Sequence, residues 1–332
     1  MDRILFILSI LICYFSDSHA QLFPEPIVSP LQVGAYFPGL INPRDYSNPQ
    51  TSGLIAMDYN VFFNTDDYYD INGNRRGDDF DLSGYSNILA LVYVSPEISW
   101  LGKARYMGIV SPYFVTAKFT GKIGSAVGLG QELSTNINGF GDISISPIYL
   151  TWSFSDNRFD VTTGYTFTAP TGPYRTGADD NIGLGYWNHA LQVFGYYYSS
   201  DKSTAIYLGN TFEIHSKIRD ADVKPGSRYS IEYGISQYLS ERFEITVQGG
   251  NGWQVGEDSG SDVYWDPSVR DRKSTIGAGI GFWLIKEKLY SNLKCWTNYG
   301  VRQNFSVNYA QLQLIYLPQI LQGKNDKNQD QD

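Results

Sequence analysis

The chain has 332 residues, with 25 basic against 34 acidic side chains and a formal net charge of −9. That balance, without a cluster of Lys and Arg, makes nucleic acid a poor partner, because such binding depends on cations that neutralise phosphates. Aromatic residues make up 15% of the chain while methionine and cysteine are scarce, a composition suited to strands and turns rather than long helices.

Taken in order, Arg3 precedes an apolar run from Ile4 to Phe15, followed by polar Ser16 to His19 and then Ala20. Residues 1–20 read as a secretory signal peptide cut after Ala20, with small Ser18 and Ala20 where the peptidase reads. A helical span needs roughly 20 apolar residues, more than this run supplies. Cys13 does not suggest a lipoprotein, because Ile12 before it is not small. Without the leader, Cys295 is the single cysteine, so an intramolecular disulfide is excluded.

Residues 21–52 carry Pro24, Pro26, Pro30, Pro38, Pro43 and Pro49. Proline removes ladder donors and blocks helix interiors, so this segment is expected to be an irregular N-terminal arm, either periplasmic or folded into a barrel mouth. From there the pattern predicts about twelve strands of the length a tilted membrane strand needs. They are Leu54 to Asn64, Ser86 to Ile98, Tyr106 to Phe119, Phe140 to Phe154, Arg158 to Ala169 and His189 to Ser199, then Thr204 to His215, Arg228 to Leu239, Phe243 to Trp253, Ser274 to Ile285, Leu289 to Tyr299 and Asn304 to Leu317. In Phe159 to Ala169, apolar and aromatic residues at odd positions alternate with Asp160, Thr162, Gly164, Thr166 and Thr168. One face suits lipid and the other water.

A one-sided soluble sheet gives the same alternation. The leader and the alternation of long and short connections favour the membrane: tight turns such as Ser155-Asp156-Asn157 and Ser240-Glu241-Arg242 belong on the periplasmic side, and long loops outside. The expected fold is all-β, a transmembrane antiparallel barrel over 53–317, with a polar C-terminal tail at 318–332. Clusters such as Tyr196-Tyr197-Tyr198 would form interfacial girdles. A face switch near Pro147 predicts a bulge, and the period-two glycines of Gly277-Ala278-Gly279-Ile280-Gly281 predict inner-face room for another element, for which the arm is a candidate.

Enzyme and metal signals are sparse. After the leader, His189 and His215 are the only histidines, and His215-Ser216 on one strand would point to opposite faces. The acid-rich loop from Asp66 to Asp81 places Arg75 where a calcium loop starting at Asp70 needs glycine, so it reads as a solvated loop facing lipopolysaccharide. No catalytic residue, cofactor or metal is expected.

Four motifs carry a family resemblance: Tyr36-Phe37-Pro38-Gly39 with Arg44-Asp45, Asn64-Thr65-Asp66 with Asn72-Gly73-Asn74, Gly139-Phe140-Gly141-Asp142 leading to Pro147, and Ala169-Pro170-Thr171-Gly172-Pro173-Tyr174. Spread over nearly the whole mature chain, they resemble the outer-membrane proteins grouped under the MetA pathway of phenol degradation, a set of predicted transporters. The resemblance implies an outer-membrane barrel related to transporters of fatty acids and aromatic hydrocarbons. The match departs at the end, where many such barrels close on an aromatic assembly signal and Tyr316-Leu317 is here followed by the tail Gln322 to Asp332.

Strand parity turns Asp58, Asp142, Asp160, Glu213, Glu232 and Glu244 toward a lumen, with Lys118 and Lys294 as the few inward cations. A charge facing lipid at mid-membrane costs up to about 2 to 4 kcal/mol, most for Lys and Arg, so inward is preferred. Such a lumen would disfavour anions. Phe37, Tyr68 and Tyr69 are the expected aromatic contacts for a solute. The expectation is a passive channel of the Gram-negative type of outer membrane for small hydrophobic or aromatic solutes, with lipid, lipopolysaccharide and the barrel-assembly machinery as partners. The alternative is a structural or ligand-binding barrel without an open pore.

Overall fold

The computed structural model describes residues 34–76, 80–123, 131–176, 178 and 180–318. The leader, arm residues 21–33 and the tail from 319 lie outside the described residues. In chain order the strands are β1 (Gly53–Thr65), β2 (Tyr68–Tyr69), β3 (Arg75–Arg76), β4 (Phe80–Ile98), β5 (Ala104–Ser111), β6 (Tyr113–Ile123), β7 (Gln131–Phe140), β8 (Ile143–Phe154) and β9 (Phe159–Ala169). They continue as β10 (Asn188–Tyr198), β11 (Thr204–His215), β12 (Arg228–Tyr238), β13 (Phe243–Gln254), β14 (Arg272–Ile285), β15 (Leu289–Arg302), β16 (Asn304–Phe305) and β17 (Asn308–Tyr316). Among the described residues no helix is long and apolar enough to cross a membrane.

The ladders run antiparallel from β1 through β17, β15, β14, β13, β12, β11, β10, β9, β8 and β5 to β4, and β4 pairs back to β1. Twelve strands therefore close on themselves, which leaves no edge and pairs the backbone without water. Two expected strands are subdivided. Tyr106 to Phe119 divides at Pro112, which has no N–H to donate, into β5 and β6; β4 pairs its C-terminal half with β5 and its N-terminal half with β6. Phe140 to Phe154 divides at Gly141-Asp142: Phe140 ends β7, which pairs with β6 in a hairpin that continues past the closed sheet, and β8 starts at Ile143. The last expected strand starts at Asn308, and β16 joins β2 and β3 in a separate three-stranded sheet. At Ser146-Pro147 the ladders of β8 to both β5 and β9 shift register, the bulge that the face switch predicts.

From β9 to β15 the alternation reads as the sequence suggests. Leu191, Val193, Ile206, Leu208, Ile235, Ile245 and Val247 are exposed on the outer face, while Thr162, Thr211, Glu213, Glu232 and Ser236 are buried inside. On β1 and β4 the faces are exchanged. Tyr59, Val61, Val92 and Val94 are buried in the interior with Ile41 of the arm, and Leu54 and Phe62 are more than half exposed on the outer side. Asp58 shares the parity of Leu54 and Phe62, so it faces outward, not into the lumen as the strand pattern alone suggests. Lys118 likewise lies opposite Ser83 on the outer face, leaving Lys294 inside.

The exchange has a physical cause. The interior here is dry protein rather than water, so Tyr59 and Val61 gain more from burial against the arm than from lipid. Outside, Asp58 accepts from Asn60 Nδ2 at 2.9 Å and Asn87 Nδ2 at 2.6 Å, and Tyr85 donates to Asn60 Oδ1 at 2.6 Å. These bonds offset part of the cost of an acid on that face.

Candidate functional site

The lumen is the site, and residues 34–52 fill it. On one side the polar walls of β11 to β17 grip the arm through its backbone. Glu213 accepts the N–H groups of Ala35 at 3.0 Å and Tyr36 at 3.1 Å. Glu232 accepts the N–H of Gly39 and the hydroxyl of Tyr36. Lys294 donates to the carbonyls of Gly39, Leu40 and Ile41 at 2.6, 2.9 and 3.1 Å, and Gln248 donates to Gly39 and Ile41 at 3.0 Å each. Proline-spaced, irregular backbone has no ladder of its own, so the wall supplies the missing partners. Nearer the end of the barrel that carries the short turns, Arg44 pairs with Glu244 at 2.8 Å and donates to Ser236. Asp45 accepts from Gln313 at 3.1 Å and Tyr59 at 2.9 Å, and Asp160 accepts the N–H of Asn48 at 3.1 Å.

The opposite side is apolar. Val92, Val94, Met107, Ile109, Tyr149, Phe194 and Tyr196 form one buried cluster, against which Leu40, Ile41 and Tyr46 of the arm pack. The Tyr46 ring is parallel to Phe194, with centroids 4.5 Å apart, and 5.3 Å from Tyr149.

Sequence-predicted residues distribute as follows. Asp160, Glu213, Glu232 and Glu244 point into the lumen, each bonded to the arm. Asp142 sits at the break between β7 and β8 and accepts the N–H groups of Gly172 at 2.8 Å and Leu184 at 2.7 Å, tying down the loop between β9 and β10. Phe37 lies toward the opposite end from Arg44, with Lys273 5.9 Å over its ring, beside Arg228, whose guanidinium pairs with Asp271. Tyr68 instead packs edge-on to Phe305 outside the barrel wall, and Tyr69 pairs with Asn304 and Arg75 in the small sheet, so these aromatics are not joined with Phe37 in one contact cluster. His189 meets the Tyr165 hydroxyl at 2.6 Å, while His215 lies near the Pro225 carbonyl and Ser216 donates to the Lys217 carbonyl, so they form no pair. In the long loop after β11, the Lys217 ammonium and Ser261 hold the Asp222 carboxyl down to about 2.

The glycines of β14 face inward, but the neighbouring strand rather than the arm takes most of their room. A Cβ at Gly277 would meet Trp296 at 2.5 Å, and one at Gly281 would strike the Tyr290 hydroxyl. Sequence reasoning missed Arg44, Tyr46, Gln248 and Gln313 as arm contacts. The available signal was the arm itself: a charged pair and an aromatic, Arg44-Asp45-Tyr46, among prolines suit a segment with partners.

The COG4313 outer membrane channel from Pseudomonas putida F1 matches with a TM-score of 0.69 and 19% identity, over 83% of this chain and 99% of that one. The transport unit of the autotransporter AIDA-I from Escherichia coli matches at 0.48 and 12%, over 81% and 92% of the two chains. No curated protein sequence matches. A family model matches residues 65–302, more than half of the chain. The chain therefore belongs to the family described as "Putative MetA-pathway of phenol degradation".

Proposed function

We propose that this protein is a passive outer-membrane channel for small hydrophobic or aromatic solutes, held shut by its own N-terminal arm. The observation that carries the reading is the way the arm is held. Four lumenal carboxylates and Lys294 bind it by hydrogen bonds and one ion pair, contacts that water can replace one at a time. After export by the leader and insertion by the assembly machinery, lipid and lipopolysaccharide would surround the outer face. Withdrawal of the arm would expose Asp160, Glu213, Glu232 and Glu244 to water, favouring cations and neutral solutes over anions. The solute class is supported by the family description and by the apolar wall formed by Val92, Val94, Met107 and Phe194.

Liposome swelling tests this with the full protein and a variant lacking residues 34–52. The variant should admit small neutral solutes that the full protein excludes, with cation-selective conductance in planar bilayers. An impermeable variant would leave the second reading, a closed structural or ligand-binding barrel, which the dense packing of the arm favours. Anion-selective conductance would remove the role of the carboxylates.

A further inference from the structure

The Tyr46 side chain occupies a slot that the barrel builds without it. Phe194 and Tyr149 both stack with its ring, and both are fully buried. Each lies over an inward glycine of an adjacent strand, Phe194 over Gly209 and Tyr149 over Gly164, where any added Cβ would collide with the ring. The Tyr149 hydroxyl is further fixed by Gln192 and by Thr166 at 3.2 Å. None of these restraints involves the arm, so the slot keeps its shape when Tyr46 leaves it. A planar ring fits at 4.5 Å and 1° from Phe194. The polar groups on the Tyr149 side of the slot are the hydroxyls of Tyr149 and Thr166 and the Gln192 amide. A planar ring with one neutral hydroxyl would therefore satisfy it, whereas a carboxylate would be desolvated without a cation.

We infer that this slot is a binding site for a neutral phenol, which competes with the Tyr46 side chain and so frees the arm between Arg44 and Asn48. The inference rests on the channel reading above. It follows from the stacking geometry and from the chemistry of tyrosine, whose side chain is itself a para-substituted phenol. Because Tyr46 fills the slot in the seated state, the ligand binds only the displaced state and shifts the balance in proportion to its concentration over its Kd.

The probe is p-cresol. In planar bilayers, conductance of the full protein should rise with p-cresol and saturate, with faster hydrogen exchange at the amides of 44–48, whereas cyclohexanol and benzoate should have no effect. Tyr46→Ala should open the channel without a ligand and bind p-cresol by calorimetry; adding Phe194→Ala should abolish that binding while the barrel stays folded, as judged by heat-modifiable migration. If Tyr46→Ala opens the channel but p-cresol neither binds it nor changes the full protein, the slot is refuted and the channel stands. If deletion of 34–52 opens nothing, the channel reading itself fails.

Discussion

Two walls of one barrel solve opposite problems. From β11 to β15 the wall is apolar outside and polar inside, and its carboxylates and Lys294 meet the arm as a wet surface would. Across the lumen, β1 and β4 are apolar inside and carry Asp58, Asn60 and Asn87 outside. The difference teaches that strand alternation reports two environments without saying which lies inside. That assignment depends on what fills the interior, and on the β1 side the filler is protein.

Perturbing each wall separates the two behaviours. The largest effect is expected for Lys294→Met, which removes the cation from the Gly39, Leu40 and Ile41 carbonyls, two of which keep Gln248, and should destabilise the seated arm by about 3 kcal/mol or more, read from hydrogen exchange of the arm amides. On the apolar side, Tyr46→Ala removes one stacked ring and should cost about 3 kcal/mol by the same measurement, though the barrel's melting temperature should barely move. Arg44→Met should cost less, about 1 kcal/mol, because its side chain is 22% exposed and solvent screens the pair with Glu244. Smaller still is Asp58→Leu. Facing outward, it should shift stability by less than about 1 kcal/mol and leave the ion selectivity of an arm-deleted channel unchanged, whereas Glu232→Gln in the same background should weaken cation preference. An equal loss of selectivity in both would mean that Asp58 reaches the lumen.

The smallest effect concerns the long loop after β11. The pKa of Asp222 is lowered to about 2, chiefly by the Lys217 ammonium. A lowered folded-state value means that its contribution is present above the unfolded carboxylate range, near pH 4, and is lost as pH falls toward 2. Cleavage after Lys217 by an acid-tolerant protease should therefore change little down to about pH 4 and rise below it.

The comparison also marks what was legible beforehand. Phe159 to Ala169 and the strands from His189 onward read directly, since each has one clear apolar face and a tight turn at one end. The stretch from Ser86 to Phe154 was harder. Pro112 and Pro147 break the period there, and β7 carries alternating polar residues that resemble a loop because its hairpin with β6 continues past the closed sheet. Within the lumen, Glu213 and Glu232 could be placed by parity, but Gln248 and Gln313 look like ordinary wall residues until their distant partners are known.

Local chemistry thus determined the element type, the approximate strand count, the tight turns and the irregularity of the arm, because period-two patterning and proline act over a few residues. Only the tertiary structure decided that the arm lies in the lumen, that β1 presents Tyr59 rather than Asp58 to it, and that Tyr46 stacks on Phe194 and Tyr149. The seating of the arm and of Tyr46 depends on contacts between residues more than a hundred positions apart, and even the nearer Tyr59–Asp45 bond needs the arm folded back into the lumen; the free energy of such a contact is fixed by what the folded chain brings alongside, which no local pattern encodes.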